Sequence, residues 1–166
     1  MKTHEGFTLV EILIVVVMLG ILAAIVLPQF SSASQTARAS TLAEDLRVIR
    51  SQLGIFKAQH EGGAPGHPSG GGAPDEATFV SQMTGSTDSR GDVKPRGTAG
   101  YVFGPYWRDT PTNPINGKKT ILVLGDGAAF PVAASDQFGW VYQPSTLSIR
   151  ADSIGQDTDG KSFFDY

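Results

Sequence analysis

The distribution of apolar residues divides the chain into two regimes. From Phe7 to Leu27 nearly every position is apolar, and Glu11 is the one ionisable group. As a helix, this run would extend roughly 31 Å at about 1.5 Å per residue, enough to cross a hydrocarbon core. Beyond Pro28 the pattern becomes periodic. Leu42, Leu46, Ile49, Leu53 and Phe56 recur at spacings of four and three, forming one apolar stripe. Glu44, Asp45, Arg47 and Arg50 fall mostly off it. The spacing predicts one long helix from Phe7 to about His60, with the stripe packed against the rest of the chain. A bend or weakening is expected between Gly20 and Pro28, because Pro28 lacks the N–H that would bond residue 24 and its ring crowds that carbonyl.

The stretch Glu61–Pro74 is rich in Gly and carries three Pro, so it ends the helix and opens a loop. Asp75–Thr84 reads as a short helix with Asp75 as its N-cap and Phe79, Val80 and Met83 toward the core. Strand signals begin after Tyr101. Thr110–Gly117 is a Pro- and Asn-rich crossing, Lys119–Leu124 reads as a strand, and Gly125-Asp126-Gly127 breaks it. Phe138, Trp140 and Tyr142 alternate with Gly139 and Val141, the period of a half-buried strand, and Thr146–Arg150 returns as its partner after a Pro turn. Such an aromatic ladder either binds sugar or forms the core face of a sheet lying on a helix, and the second is the commoner use. The fold class expected is α+β, a long N-terminal helix packed against a small antiparallel sheet of three or four strands.

Charge and composition narrow the function. The 166 residues carry a net charge of −3, and Lys2 and Glu5 cancel, so losing the first six residues would not alter it. Nothing here argues for a nucleic-acid surface. Cysteine is absent, so a small domain must be held by packing or by an ion. No phosphate-binding loop, nucleophile elbow or His-Glu-x-x-His motif is present, and the carboxylates lie in loops without acid/base pairing, so no catalysis is expected. His60 and His67 flank Glu61, but a flexible Gly-rich loop is a poor metal cage. Arg90-Gly91-Asp92 spells a cell-adhesion tripeptide, a match short enough to arise by chance.

Two features set the N-terminal run apart from an ordinary secretory signal, whose apolar core spans about 7–15 residues and precedes a small-residue cleavage site. Here the run is longer, and its clearest break comes before it, at Gly6–Phe7. Glu11 is the second, since a carboxylate inside a membrane costs about 2.5–3.5 kcal/mol on insertion scales and marks a functional site by default. The residues Gly6, Phe7, Thr8, Leu9, Val10 and Glu11, followed by an unbroken apolar run with Gly20 and Pro28, resemble the signature of type IV pilins and type II secretion pseudopilins. The resemblance implies a leader at 1–6, cleaved after Gly6 by prepilin peptidase, which also methylates the new amino group of Phe7. It implies a transmembrane helix at 7–27, an amphipathic continuation at 28–60 and a globular periplasmic domain at 61–166. It further implies an inner-membrane protein with a cytoplasmic N-terminus, joined to an assembly platform and polymerising as a helical homo-oligomer with membrane lipid around its unassembled helix. In such a stack, the amino group of one subunit could meet the Glu11 carboxylate of another and reward a single axial register.

The tail Ala151–Tyr166 places Asp152, Asp157, Asp159 and Asp165 among Gly and Ser. Ser153-x-Gly155-x-Asp157 followed by Asp159-Gly160-Lys161 looks like the C-terminal segment of type II major pseudopilins, where Ca2+ is bound. The resemblance thus implies a calcium site using Asp152, Asp157 and Asp159. Many type IV pilins close this region with a Cys pair, so a Cys-free chain looks more like a pseudopilin. The Gly-rich loop and the Thr110–Gly117 crossing depart from the family pattern. Three readings remain: a major pseudopilin of a type II secretion system, a type IV pilin serving adhesion, motility or DNA uptake, and a secreted or anchored sugar-binding module with an ordinary signal.

Overall fold

The computed structural model describes residues 7–166, apart from the side chains of Leu27, Pro28 and Ser31. The chain divides into two compact units, Met1–Ala37 and Arg38–Tyr166. The first helix, α1, runs over Leu9–Gln59. Its Leu9–Val26 portion has a mean hydropathy of 3.1 and is exposed throughout, so it is long and apolar enough to cross a membrane. Helical backbone continues through Gly20 and Pro28 without a break, so the weakening expected there does not divide the element.

In the second unit the apolar stripe is buried as its spacing predicts. Leu42, Leu46, Ile49, Leu53 and Phe56, with Ala39, form one cluster with Phe79, Met83, Trp107, Ile121, Trp140, Tyr142, Ile149, Ala151 and Phe163. The short helix α2, Glu76–Thr84, is capped by the Asp75 carboxylate, which accepts from the Thr78 N–H at 2.8 Å. It seats Phe79 between two rings, with centroids 4.6 Å from Tyr142 and 5.5 Å from Trp107. The aromatic ladder is therefore core. Trp140 and Tyr142 are fully buried and present no face to a sugar.

The sheets differ from expectation. A two-stranded antiparallel ribbon pairs β1 (Ser86–Thr87) with β2 (Val93–Lys94). A separate three-stranded sheet has the order β3 (Ile121–Val123), β4 (Trp140–Gln143), β5 (Ser148–Ala151). β4 and β5 form an antiparallel hairpin closed by a 3-10 turn at Pro144–Thr146. β3, however, runs parallel to β4, with Ile121 opposite Trp140, which corrects the all-antiparallel expectation. The physical reason is the connection 124–139. It is too long for a tight hairpin and long enough to carry the chain back to the same end of the sheet.

That connection also overturns the half-buried reading of β4. Leu122, Val141 and Arg150 share the face opposite Trp140. Val141 is buried as well, because the returning segment lays Phe130 over this face, 4.7 Å from the Arg150 guanidinium. Phe138 itself lies just outside the strand and is half-buried. Two asparagines of the Thr110–Gly117 crossing fasten the strand ends. Asn113 is fully buried and donates to the Gly139 carbonyl and the Ser153 hydroxyl, at 2.7 and 2.9 Å. The Asn116 amide reaches the Asp136 carboxylate and the carbonyls of Phe138 and Asp152. Loops with this many buried polar groups stay ordered only when those groups are paired, and here side chains supply the partners.

Candidate functional site

The start of α1 carries the residues that the sequence singled out. Phe7 precedes the helix and is 86% exposed. Thr8 is the N-cap, and Glu11 is the third residue of the helix. The Glu11 N–H donates to the Thr8 hydroxyl at 3.2 Å, while the Glu11 carboxylate accepts from the Thr8 N–H and hydroxyl, each at 2.7 Å. This is a capping box, in which two otherwise unpaired helix-start donors are satisfied reciprocally. The Thr-x-x-Glu spacing could have revealed it from sequence alone, and the sequence reading assigned Glu11 only a partner in another subunit. Gly6 lies outside the described residues. Around Gly20 an added Cβ would meet nothing within 4 Å.

The tail distributes its aspartates to separate tasks. Asp152 is 1% exposed, and its carboxylate accepts from the Ser135 N–H (2.6 Å) and hydroxyl (2.7 Å) and from the N–H groups of Gln137 (3.0 Å) and Phe138 (2.9 Å). Burial would push its carboxyl up, but the bonds from Phe138 and Ser135 outweigh that and hold it below the ordinary range. Asp157 accepts from the N–H groups of Asp159 and Lys161, both at 2.9 Å, and from the Tyr166 hydroxyl. The Tyr166 hydroxyl lowers the Asp157 carboxyl most, and its own pKa is pushed up to about 12 by that bond. Asp159 is exposed. Three of the four bonds fall on one Asp152 oxygen and one on the other, so this carboxylate serves the loop at 135–138. Among the described residues no group of three His, Asp or Glu side chains is placed to hold a metal.

The two histidines are not brought to one point either. His60 is buried and stacked on Phe56 at 3.8 Å; its ring nitrogens bond the Phe56 carbonyl (2.7 Å) and the Thr87 hydroxyl (2.8 Å). His67 instead contacts Asp126 at 3.0 Å, pinning the Gly-rich loop to the turn after β3. The Asp126 oxygen also accepts from Ser145, at 3.1 Å. Both His67 and Ser145 therefore point at the carboxylate and not at each other, an arrangement that fastens loops without activating a nucleophile. Arg90-Gly91-Asp92 closes a turn in which Arg90 lies 3.7 Å from Asp88 and Asp92 accepts from Ser69.

A Gly-Phe junction, an acid in the first turn, an exposed apolar helix and a small α+β domain together resemble the build of a pilin-type subunit. Comparison with known proteins agrees with that class. Residues 1–27 match the family described as "Prokaryotic N-terminal methylation motif". The chain is 43% identical over 56 residues to the type II secretion system core protein G of Pseudomonas aeruginosa, covering 34% of this chain and 39% of that protein. To the Klebsiella pneumoniae protein of the same name it is 35% identical over 57 residues, 34% of this chain and 41% of the other. It is also 33% identical over 99 residues to the type IV major alpha-pilin of Moraxella bovis, 58% of this chain and 55% of the pilin. The chain thus spans about two fifths of the length of these type II secretion relatives and about half of the pilin. No solved structure matches the chain significantly.

Proposed function

We propose that this chain is the major pseudopilin of a type II secretion system, cut after Gly6, methylated on Phe7 and polymerised into a periplasmic fibre. One observation carries the reading. The methylation motif at residues 1–27 leads into a helix that is apolar and exposed at every turn, with a single acid near its start. Such a helix has two stable surroundings, lipid and copies of itself, and a processed pilin-type subunit passes from the first to the second. The N-terminus would stay cytoplasmic and the domain periplasmic, with an assembly platform extracting subunits from the membrane. The bound Ca2+ expected at the tail remains part of this proposal and rests on the resemblance of 153–161, since its aspartates are not gathered into one set of ligands.

A type IV pilin is the second reading, favoured by the longer stretch shared with the Moraxella bovis alpha-pilin. The two differ in where the fibre appears, within the periplasm or beyond the cell surface. Sequencing the mature N-terminus tests the shared core of both. N-methyl-phenylalanine at residue 7 is the expected result. A start near Ser34 would replace both readings with an ordinary secreted or anchored protein.

A further inference from the structure

A cavity of about 620 Å³ in the second unit lies beside β5 and has two arginines in its wall, Arg50 from α1 and Arg150 from β5. Their surroundings differ from those of Arg47 and Lys119. Arg47 bonds Glu44 in a two-pronged contact, and Lys119 pairs with Asp109. The Arg150 guanidinium carbon lies over two rings, 4.7 Å from the Phe130 centroid and 5.2 Å from that of Phe164. Asp165, the nearest acid, stands 3.8 Å away, beyond hydrogen-bond reach. Arg50 spends one nitrogen on the Ile149 and Tyr166 carbonyls, at 3.0 and 2.6 Å. Burial and the neighbouring Arg150 charge both press Arg50 toward its neutral form. A planar fork in cation–π contact with two rings, with unused donors and a second cation beside it, is suited to receive a carboxylate.

The chain also holds the complementary oddity. Among the described residues, the other fourteen Asp and Glu side chains either make a bond within the chain or lie exposed, whereas Asp45 is half-buried with no hydrogen bond or ion pair. Burial, and then Glu44 beside it, push its carboxyl up, the mark of an acid removed from water without compensation. On a helix at about 100° per residue, Asp45 and Arg50 point roughly 140° apart, so Asp45 faces away from the side that carries the cavity. We propose that in the filament the Asp45 carboxylate of one copy seats against Arg150, beside Arg50, in the cavity of the next. This rests on the filament reading above. Donor and acceptor surfaces lie on different sides of one subunit, so the contact is head-to-tail, the kind from which a fibre can be built.

The test uses the full-length chain in cells that carry its assembly machinery. Asp45→Arg and Arg150→Asp are each expected to lower fibre yield by about tenfold or more, and the double exchange to restore it. Because the natural chain has no cysteine, Asp45→Cys and Arg150→Cys can be placed on separate co-expressed copies. Oxidation or a short bifunctional thiol reagent should then yield a mixed dimer absent from cells expressing either variant alone. No mixed dimer in cells whose wild-type chain makes fibres overturns the contact, whatever the charge variants do. Cells in which the wild-type chain makes no fibres overturn the filament reading, and this contact with it.

Discussion

Asp152 shows how much one side chain can hold. Its carboxylate gathers the backbone of residues 135–138, and the Asp152 N–H donates to the Gly139 carbonyl at 3.0 Å, so the loop before β4 and the residue after β5 are tied at one point. Because its folded pKa lies below the ordinary value, the stabilisation is fully present above the unfolded pKa of about 3.9 and is lost as pH falls through the depressed folded value. The melting midpoint should therefore drop steeply below about pH 4 in the wild type and less steeply in Asp152→Asn. Asp152→Ala, which leaves buried N–H groups without an acceptor, should cost about 1–3 kcal/mol at neutral pH, readable by denaturant titration.

At the scale of elements, the parallel entry of β3 depends on Gly139. Its N–H donates to the Thr120 carbonyl at 2.8 Å, and a Cβ there would sit 2.4 Å from the Lys118 carbonyl oxygen. Backbone meets backbone at this crossing, so no side chain can yield to make room. Gly139→Ala should cost about 1–3 kcal/mol by overpacking, whereas Gly125→Ala, with open space around it, should be nearly neutral. Paired thermal melts of the two variants check this. The same crossing marks where sequence reading ended. The stripe Leu42–Phe56 was legible because a helix repeats its neighbours every three or four residues, so its buried face is written locally. The pairing of Ile121 with Trp140 is not local, and no helical pattern in 124–139 announced a crossover. Asn113, Asn116 and Asp152 were likewise invisible as fasteners, since their partners lie far along the chain. At the helix start, by contrast, both halves of the Thr8–Glu11 box were within view.

For the whole molecule, one substitution can separate the cap that Glu11 makes from the assembly role proposed for its charge. Gln at the third helical position can still return a bond to the Thr8 N–H and so keeps the cap, but it carries no charge. Val loses both. If assembly needs the charge, Glu11→Gln and Glu11→Val should both insert at least as well as wild type, since the insertion penalty disappears, and both should fail to build fibres. Wild-type fibres from Glu11→Gln as sole subunit would leave the cap as the residue's whole purpose. Membrane fractionation followed by electron microscopy gives both readouts.

The arrangement of the three-stranded sheet sets an order in which the strands can pair as the chain is made. The β4–β5 hairpin closes over a three-residue turn and can form on the microsecond scale. β3 emerges before either strand, yet it has no partner until the intervening segment 124–139 has emerged and doubled back. Until then, Ile121–Val123 is an unpaired apolar strand waiting for a sheet that does not yet exist. The interval between its emergence and the arrival of β4 is when the chain is most open to a wrong neighbour, and a holdase chaperone would have its greatest effect then.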